Sequence, residues 1–567
     1  MSWKLKKRYR NILSKEKGYQ KNLWGNRITV CLAYPHYYRT GMSNLGFQTL
    51  YALFNSHPSF LCERVFLPDP DDEATFISKS TPLFSLESQK PLADFDIIAF
   101  SISFENDYPN ILKILAMSRI DLLAHQRRSE EPLIIGGGIS VTLNPEPLAD
   151  FFDLFILGEG EEAIPEFLDI FEESHNLGLS RHETLSRVQK EVEGAYVPRF
   201  YSVSYNEDGL IKEFTPSHSS FPQGISKRTV GDINAFNTDQ SIIAPDTEFG
   251  DMFLSEVSRG CGRGCRFCAA GFVYRPARFR KPEILEESIT RGLEQQKKMG
   301  LLGTAVSDHP DLVSLCQSIL KKNGKLSIGS LRLDRLNKEM VSLLRKADVK
   351  MVSLAPEAGS QRLRDLINKK ITESHIFDSV ELLIEKGILN IRLYFMVGLP
   401  TEVPEDIEAI IDLAKRIKYH AIKYSAGKRA FRRITLSINQ FIPKPATPFQ
   451  WQGLADTNVV RRRIRKIESS LRKESSVKVI HDIPKWNYIQ AFLSLGDRSA
   501  GQVLLSVHKN NGNWSQAFKE ININPDFYVY RQKDIDEILP WDFIDHGVSR
   551  EFLIKEYRKA LSEKIIP

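Results

Sequence analysis

Short apolar runs alternate with amphipathic stretches through the first part of the chain. Residues 27–34, 96–103, 132–135 and 153–157 have the pattern of buried strands and end in glycine or small polar residues. Helical patterns lie between them, at residues 47–55 and 108–125. This alternation predicts an α/β domain with a doubly wound parallel sheet of the flavodoxin-like kind. Ligands of such sheets bind beyond the carboxyl ends of the strands, where these glycines fall.

A second alternation begins near residue 251. The predicted strands are 252–258, 302–306, 327–331, 350–354, 391–397 and 434–440, and helical patterns separate them, for example at 374–386 and 404–417. Six strand–helix units of this length predict a partial (β/α)6 barrel of the TIM type. Active sites of such barrels lie at the carboxyl ends of the strands.

The chain of 567 residues is too long for one core. We predict a basic leader at 1–24, a Rossmann-type domain at 25–197, a linker at 198–250 where the pattern dissolves, the barrel at 251–450 and a small α+β accessory domain at 451–567.

The composition is that of an ordinary globular protein, with 42% hydrophobic and 26% charged residues. The sequence has no apolar run of about 18 residues, so we expect no membrane span. The start is basic and lacks the apolar core of a signal peptide, which favours a cytoplasmic location.

Three of the six cysteines form a compact motif directly after the first barrel strand. Cys261, Cys265 and Cys268 are spaced Cys-x3-Cys-x2-Cys, among glycines that let the backbone fold tightly. Irons of an iron–sulfur cluster favour thiolate ligands, and three ligands leave one iron of a cubane open to the amine and carboxylate of a substrate. Structural zinc is the alternative, but zinc sites usually have four ligands and no second Cys or His pair follows at a suitable spacing.

This motif resembles that of the radical S-adenosylmethionine (SAM) superfamily, in which Cys-x3-Cys-x-aromatic-Cys binds a 4Fe–4S cluster and SAM occupies the unique iron. The resemblance implies that the three cysteines are the cluster ligands and that Phe267 packs near the adenine of SAM. It also implies an electron donor such as flavodoxin or ferredoxin.

Later segments extend the resemblance in the family's order. The segment 353–360 is similar to the family's SAM-contacting segment, with Glu357 as its polar contact, and Arg332 is a candidate partner of the SAM carboxylate. Gly398 and Pro400 match a turn near the adenine. The usual acidic motif after the second strand is missing, and Asp308 is the candidate to replace it.

The N-terminal domain is similar to the cobalamin-binding domain of many radical SAM enzymes. The matching segments are 136–138 (Gly-Gly-Gly), 144–146 (Asn-Pro-Glu), Asp153 and 158–161 (Gly-Glu-Gly-Glu). The histidine motif that coordinates cobalt in the full cobalamin signature is missing, and His36 lacks its spacing. Cobalamin therefore remains open as a cofactor.

Over most of its length the chain resembles an uncharacterised family of cobalamin-domain radical SAM proteins. The resemblance implies reductive cleavage of SAM to a 5′-deoxyadenosyl radical. If cobalamin binds, we expect methyl transfer to an unactivated carbon; otherwise we expect hydrogen abstraction or RNA methylthiolation. A cofactor-sensing or scaffold protein without turnover is the non-enzymatic alternative. No feature of the sequence identifies the substrate.

Basic clusters at 4–10, 415–433 and 461–473 raise RNA as a partner. In the last of these, Ile464, Ile467 and Leu471 form one apolar stripe, so the arginines at 461, 462 and 465 should face outward. Nearby aromatic residues could stack on bases; they are Trp486, Tyr488, Trp514, Phe527 and Tyr528. The alternative is a capping domain whose aromatic residues form its core.

Overall fold

The computed structural model describes residues 3–20, 23–329, 331–425 and 431–562. Part of the basic cluster 415–433 therefore lies outside the described residues. Two compact units are present. Unit 1 comprises residues 1–250, 492–525 and 536–547, and unit 2 comprises 251–491, 526–535 and 548–567.

The strands of the described residues follow in chain order: β1 (Ile28–Tyr37), β2 (Phe60–Leu67), β3 (Ile97–Ser101), β4 (Leu133–Gly137), β5 (Leu154–Ile156), β6 (Ala195–Tyr196), β7 (Tyr201–Tyr205), β8 (Ile211–Pro216), β9 (Ile225–Ser226), β10 (Phe253–Arg259), β11 (Arg278–Phe279), β12 (Lys298–Gly303), β13 (Lys325–Ile328), β14 (Met351–Glu357), β15 (Asn390–Val397), β16 (Arg433–Gln440), β17 (Val477–His481) and β18 (Ile544–Asp545).

The α-helices are α1 (Trp3–Lys15), α2 (Tyr38–Gly41), α3 (Leu45–Ser56), α4 (Pro70–Ser78), α5 (Tyr108–Met117), α6 (Ile139–Leu143), α7 (Gly160–Asn176), α8 (Arg181–Glu191), α9 (Ala270–Val273), α10 (Pro282–Gln295), α11 (Leu312–Lys321), α12 (Lys338–Lys346), α13 (Gln361–Leu366), α14 (Glu373–Glu385), α15 (Pro404–Ser425), α16 (Thr457–Leu471), α17 (Pro484–Leu495), α18 (Ala500–Lys509), α19 (Trp514–Glu520), α20 (Pro525–Val529) and α21 (Arg550–Ser562). Short 3-10 turns lie at Leu92–Asp94, Glu105–Asp107, Glu146–Phe151, Pro198–Phe200, Ile233–Ala235, Val306–Asp308 and Leu333–Arg335.

Unit 1 contains a six-stranded sheet in the order β2-β1-β3-β4-β5-β6. All neighbours are parallel except β6, which runs antiparallel to β5. The order 2-1-3-4-5 is the flavodoxin-like one, and its ligand crevice lies at the carboxyl ends of β1 and β3. The predicted doubly wound sheet is therefore confirmed.

Unit 2 contains two four-stranded sheets, β11-β10-β12-β13 and β14-β15-β16-β17. Their strands are parallel apart from β11. The backbone N–H of Leu331 donates to Ser353 O (3.4 Å), which links the segment after β13 to β14. Helices α10, α11, α12, α14 and α15 alternate with the strands, as expected of a (β/α) barrel.

Several predicted boundaries differ from the structure. The second barrel strand lies at 298–303 rather than 302–306, and the helix predicted to reach residue 125 ends at Met117. The predicted linker 198–250 forms the antiparallel pair β7–β8 and the strand β9, and α1 in the predicted leader buries Leu5 and Leu13.

The predicted C-terminal domain at 451–567 is divided between the two units. The reason is apolar packing on both sides: α18 buries Val503, Leu504 and Val507 within unit 1, whereas α21 buries Leu553 and Tyr557 within unit 2.

Candidate functional site

The cysteine loop, residues 260–268, leaves the carboxyl end of β10. It begins with Gly260 at φ +78°, where a Cβ atom would lie 2.0 Å from the carbonyl oxygen of Tyr274. Only glycine fits so close to another backbone segment. Further along, the N–H of Cys268 donates to Cys265 O (3.1 Å), which closes the loop into a tight turn.

The three thiols of this loop are free of disulfides. Cys265 is buried, whereas Cys261 and Cys268 are half-buried. Burial raises the pKa of the Cys268 thiol to about 11, and burial likewise raises the pKa of Cys265. Metal binding releases the proton of each thiol, and a soft metal cluster stabilises the thiolates that result.

The donor set fits a 4Fe–4S cubane. Three thiols stand on one loop, and the negative charges of Cys261 and Cys265 contribute to the raised pKa of Cys268, which indicates that the three lie near one another. Among the residues that the structure describes, no three His, Cys, Asp or Glu side chains converge as ligands of a single metal ion. The ligands of a cubane bind separate irons and therefore stand farther apart than those of one ion.

Asp308 is joined to the cysteine loop by Arg263. The guanidinium of Arg263 forms two hydrogen bonds with the Asp308 carboxylate (2.6 and 3.0 Å) and also reaches Asp334 (3.3 Å). Arg332 pairs with the same Asp334 (2.9 Å). A cavity of about 370 Å³ opens beside these groups, and Asp308, Arg332 and Arg335 line its polar part.

Glu357 ends β14 in a left-handed conformation, at φ +69°. Its carboxylate pairs with Lys369 Nζ (2.9 Å), and both side chains are largely buried. The charges of Lys369, Arg332 and Glu357 all act on the pKa of Cys265, although burial is the largest cause of its rise. The structure thus brings Arg332 and Glu357 into the neighbourhood of the thiols.

Gly398 and Pro400 lie at the carboxyl end of β15. Gly398 has φ +82°, and its N–H donates to both carboxylate oxygens of Glu402 (3.0 Å each). Arg463 of α16 pairs with Glu402 Oε1 (2.6 Å), so this turn is fixed by a buried ion pair. Pro400 is buried.

The carboxyl edge of the unit 1 sheet offers an accessible surface at β1, β3 and β4. Asn44 Nδ2 donates to Ser103 Oγ (3.2 Å), Phe104 is 42% exposed, and the backbone of Gly137 and Gly138 is half-exposed. Glycine is required at 138, where φ is +112° and a Cβ atom would lie 2.4 Å from Ile102 O. Glycine backbone, a hydroxyl and an aromatic ring therefore stand at this edge of the sheet.

Other segments that match the cobalamin-binding domain have structural partners within unit 1. Asn144 Nδ2 donates to the carbonyls of Ser494 (3.1 Å) and Gly496 (2.7 Å), and Glu146 pairs with Arg498 (3.1 Å). The buried carboxylate of Asp153 lies among three arginines, Arg127, Arg181 and Arg199. His36 is half-buried, its Nδ1 accepts from the N–H of Tyr37 (2.8 Å), and burial lowers its pKa.

Helix α16 buries the predicted stripe of Ile464, Ile467 and Leu471 and exposes the arginines at 461, 462 and 465. Its single acidic residue, Glu468, lies 3.3 Å from His481. The predicted aromatic partners differ in exposure. Trp514 is a buried residue of unit 1, whereas Trp486 on α17 is 45% exposed.

Comparison with known proteins identifies the family. Residues 46–198 match a family described as radical SAM proteins, N-terminal, and residues 255–414 match the radical SAM superfamily. An uncharacterised protein of Methanocaldococcus jannaschii is 30% identical over 513 residues, which cover 89% of this chain and 96% of that protein. The chain belongs to the radical SAM superfamily. A 4Fe–4S cluster and SAM are the cofactors of this family.

Two further proteins are similar to this radical SAM protein. The structure of the radical SAM methyltransferase TsrM from Kitasatospora setae, with cobalamin and a 4Fe–4S cluster bound, has a TM-score of 0.51 at 11% identity and covers 94% of this chain and 100% of that one. At that identity the likeness concerns the fold. A tRNA-2-methylthio-N6-dimethylallyladenosine synthase of Clostridium beijerinckii is 23% identical over 240 residues, 40% of this chain and 48% of that enzyme.

Some residues of this radical SAM site were not predicted from the sequence. Two of them come from the segment after α13. Lys369 pairs with Glu357, and the Nδ2 of Asn368 donates to Gly264 O (2.8 Å). Arg263 and Arg266 stand inside the cysteine motif itself. Their position between the predicted ligands is the feature of the sequence that could have identified them as residues of the site. Phe267 is half-buried on the loop. In the described ranges, no helix is long and apolar enough to cross a membrane.

Proposed function

We propose that this radical SAM protein is an enzyme that binds its 4Fe–4S cluster through Cys261, Cys265 and Cys268 and cleaves SAM reductively. The observation that carries the proposal is the loop itself: three free thiols on one glycine-dependent turn at the carboxyl end of the first barrel strand. That end of the strands is where barrel enzymes hold their substrates.

A 4Fe–4S cluster held by these three cysteines would supply the one-electron reduction of the SAM sulfonium, which yields methionine and a 5′-deoxyadenosyl radical. The chain's own residues hold and orient these groups. The Glu357 carboxylate and the Arg332 guanidinium stand near Cys265 and are suited to the amine and carboxylate of SAM. Phe267 and the turn at Gly398 and Pro400 are the candidates to contact its adenine.

The test is anaerobic reconstitution of the full chain, with iron and sulfide analysis and chromatography for 5′-deoxyadenosine under a strong reductant. A variant with all three loop cysteines changed to alanine should hold no cluster and release no 5′-deoxyadenosine. Cys316→Ala, which removes a buried thiol of α11 outside the loop, is the matched control. A triple variant that kept both cluster and cleavage would falsify the assignment.

Failure of the wild-type chain to cleave SAM with a full cluster would instead favour the sensor or scaffold alternative. The cytoplasmic location and the flavodoxin- or ferredoxin-type electron donor stay predictions.

We further propose that the enzyme uses cobalamin for methyl transfer to an unactivated carbon. The flavodoxin-like strand order and the accessible edge at Ser103, Phe104, Gly137 and Gly138 support a large planar ligand in unit 1. Methylcobalamin supplies a methyl group that can combine with a substrate radical. The test is a visible spectrum of protein purified after incubation with hydroxocobalamin. Phe104→Asp should weaken the retention of cobalamin. If the wild-type protein retains no cobalamin, hydrogen abstraction or methylthiolation is the remaining reaction.

A second candidate function is RNA methylthiolation. The exposed arginines of α16 at 461, 462 and 465 favour an RNA substrate, because each phosphate contact releases counterions. Filter binding of total tRNA should then fall steeply with salt, and charge reversal at these arginines should weaken the binding further while the cluster spectrum stays unchanged. Weak tRNA binding that does not vary with salt would contradict an RNA substrate, and the arginines would then be ordinary solvated surface residues.

A further inference from the structure

Arg266 stands between two of the proposed cluster ligands and is almost completely buried, with 1% of its side chain exposed. Its Nη1 donates to the carbonyl oxygens of Leu366 (2.6 Å) and Asp365 (3.2 Å), at the end of α13. Its backbone N–H donates to Ile367 O (3.0 Å). Arg266 is therefore one of the residues that attach the middle of the cysteine loop to the barrel, beside Arg263 and Gly264.

The remaining partner of Arg266 comes from the far end of the chain. Its Nε donates to Glu556 Oε2 (3.1 Å) on the C-terminal helix α21, and the Glu556 side chain is 18% exposed. Carbonyl dipoles solvate a buried guanidinium only in part, and a full counter-charge offsets more of its desolvation. In the described part of the chain, Glu556 provides that charge.

Helix α21 has its own attachment to unit 2, which fixes where Glu556 stands. The hydroxyl of Tyr557, the next residue, accepts hydrogen bonds from Gln452 (2.7 Å) and Gln532 (3.2 Å), and its ring packs against Trp451 (5.4 Å between centroids). These contacts fix the rotation of the helix about its axis and its position along that axis. The Glu556 carboxylate is therefore held next to the loop by a rigid helix.

A second contact joins the same helix to the residues just after the cysteines. The Phe552 ring lies 5.7 Å from the guanidinium of Arg275, and Arg275 Nε donates to Gly271 O (2.7 Å). Phe552 and Glu556 are one helical turn apart, so both face the loop side of α21. The helix thus contacts the cysteine loop at Arg266 and the segment just after the loop at Arg275.

We propose that α21 is a clasp on the cysteine loop, in which Glu556 neutralises Arg266 and thereby positions the three cysteines for the cluster. The inference rests on the proposed function, since it takes these cysteines as ligands. Glu556 touches neither the cysteines nor a substrate in this arrangement; it acts through Arg266 and is a positioning residue. Loosening the clasp should let the loop open more often, and the cluster should be lost through the open form.

The experiment compares the full-length chain with Glu556→Ala and Glu556→Gln after anaerobic reconstitution. The rate at which excess EDTA removes the visible absorption of the cluster is measured under argon. We expect Glu556→Ala to lose its cluster about tenfold faster, the factor that corresponds to one charge-assisted hydrogen bond, with Glu556→Gln in between. Glu551→Gln, an exposed glutamate on the same helix, is the matched control and should behave as wild type.

A second measurement does not need the cluster. In cluster-free protein, alkylation of the buried Cys265 thiol, located by peptide mass spectrometry, should be faster in Glu556→Ala than in wild type. Wild-type rates of both cluster loss and alkylation in Glu556→Ala would overturn the clasp, even if the melting temperature fell. Absence of any cluster in the wild type would instead refute the proposed function, and the alkylation rates would still report whether α21 closes the loop.

Discussion

The buried ion pair between Glu402 and Arg463 yields a quantitative prediction about the turn after β15. The Glu402 side chain is 1% exposed and that of Arg463 is 20% exposed, with 2.6 Å between their nearest atoms. Replacing Arg463 by methionine keeps most of the side-chain volume but leaves the carboxylate with the backbone N–H groups of Gly398 and Leu399 as its donors in the turn. A buried charge without its partner is strongly destabilising.

The expected cost follows from the burial of the two groups. Breaking a buried pair by removing one partner costs about 3 to 5 kcal/mol, and we expect the lower end because Arg463 is partly solvated. Burial already raises the pKa of Glu402, and loss of Arg463 raises it further. The folded state then binds the proton more tightly than the unfolded state, so stability is lost as the pH rises through the folded pKa.

Urea unfolding of wild type, Arg463→Met and Arg462→Met at several pH values tests this reasoning. Arg462 is the exposed neighbour on the same helix, and its substitution should change the free energy of unfolding by no more than about 0.5 kcal/mol. The defect of Arg463→Met should shrink below the ordinary glutamate pKa of about 4.3, where Glu402 is neutral in both states. A defect at neutral pH no larger than that of Arg462→Met, or one that persists in acid, would refute the role of the buried charge.

Two further predictions concern the cysteine loop and the unit 1 sheet. Gly260→Ala should prevent cluster uptake, because its Cβ would lie 2.0 Å from Tyr274 O at a position with positive φ. Gly262→Ala, whose Cβ would have no atom within 4 Å, should take up the cluster normally. Equal iron contents of the two variants would contradict this prediction. Burial and the nearby charge of Glu105 raise the pKa of Asp107 to about 7. The stability of the wild type should therefore fall as the pH rises from about 4 to 7. Thermal melts of Asp107→Asn should lack this dependence on pH.

The sequence predicts best those strands whose buried positions are all apolar. Strand β15 was predicted at 391–397 and lies at 390–397, because each of its buried positions is apolar. Strand β2 was missed because Glu63 and Arg64 interrupt its apolar pattern. The structure buries Arg64 between Glu16 and Glu87, residues 48 and 23 positions away, and no local pattern reveals such partners.

The shift of β12 has a different cause. The predicted strand began at residue 302 because Gly300 weakens a strand pattern, yet the strand begins at Lys298. Gly300 lies against β10, where a Cβ atom would come within 2.7 Å of Leu254 Cδ2. The glycine therefore packs closely inside the sheet, and sequence alone does not distinguish this from a turn.

In the candidate site, too, features set by neighbouring residues were predicted, whereas contacts between residues distant in sequence were not. The spacing of the three cysteines and the turn at Gly398 are local, and the sequence predicted both. The partners of the loop come from later in the chain: Lys369 follows α13, and Glu556 lies 290 positions after Arg266. Such contacts exist only once the barrel has closed, so no motif predicts them.

The charges around the cysteine loop explain why these distant partners matter. Four cations near the thiols have a carboxylate partner: Arg263 with Asp308, Arg332 with Asp334, Lys369 with Glu357 and Arg266 with Glu556. These four pairs contribute little net charge. A cluster held by three thiolates would carry net negative charge, which neutral pairs of this kind do not offset. A ligand that carries a sulfonium and binds iron through a neutral amine and a carboxylate is then favoured at the open iron, and SAM is such a ligand.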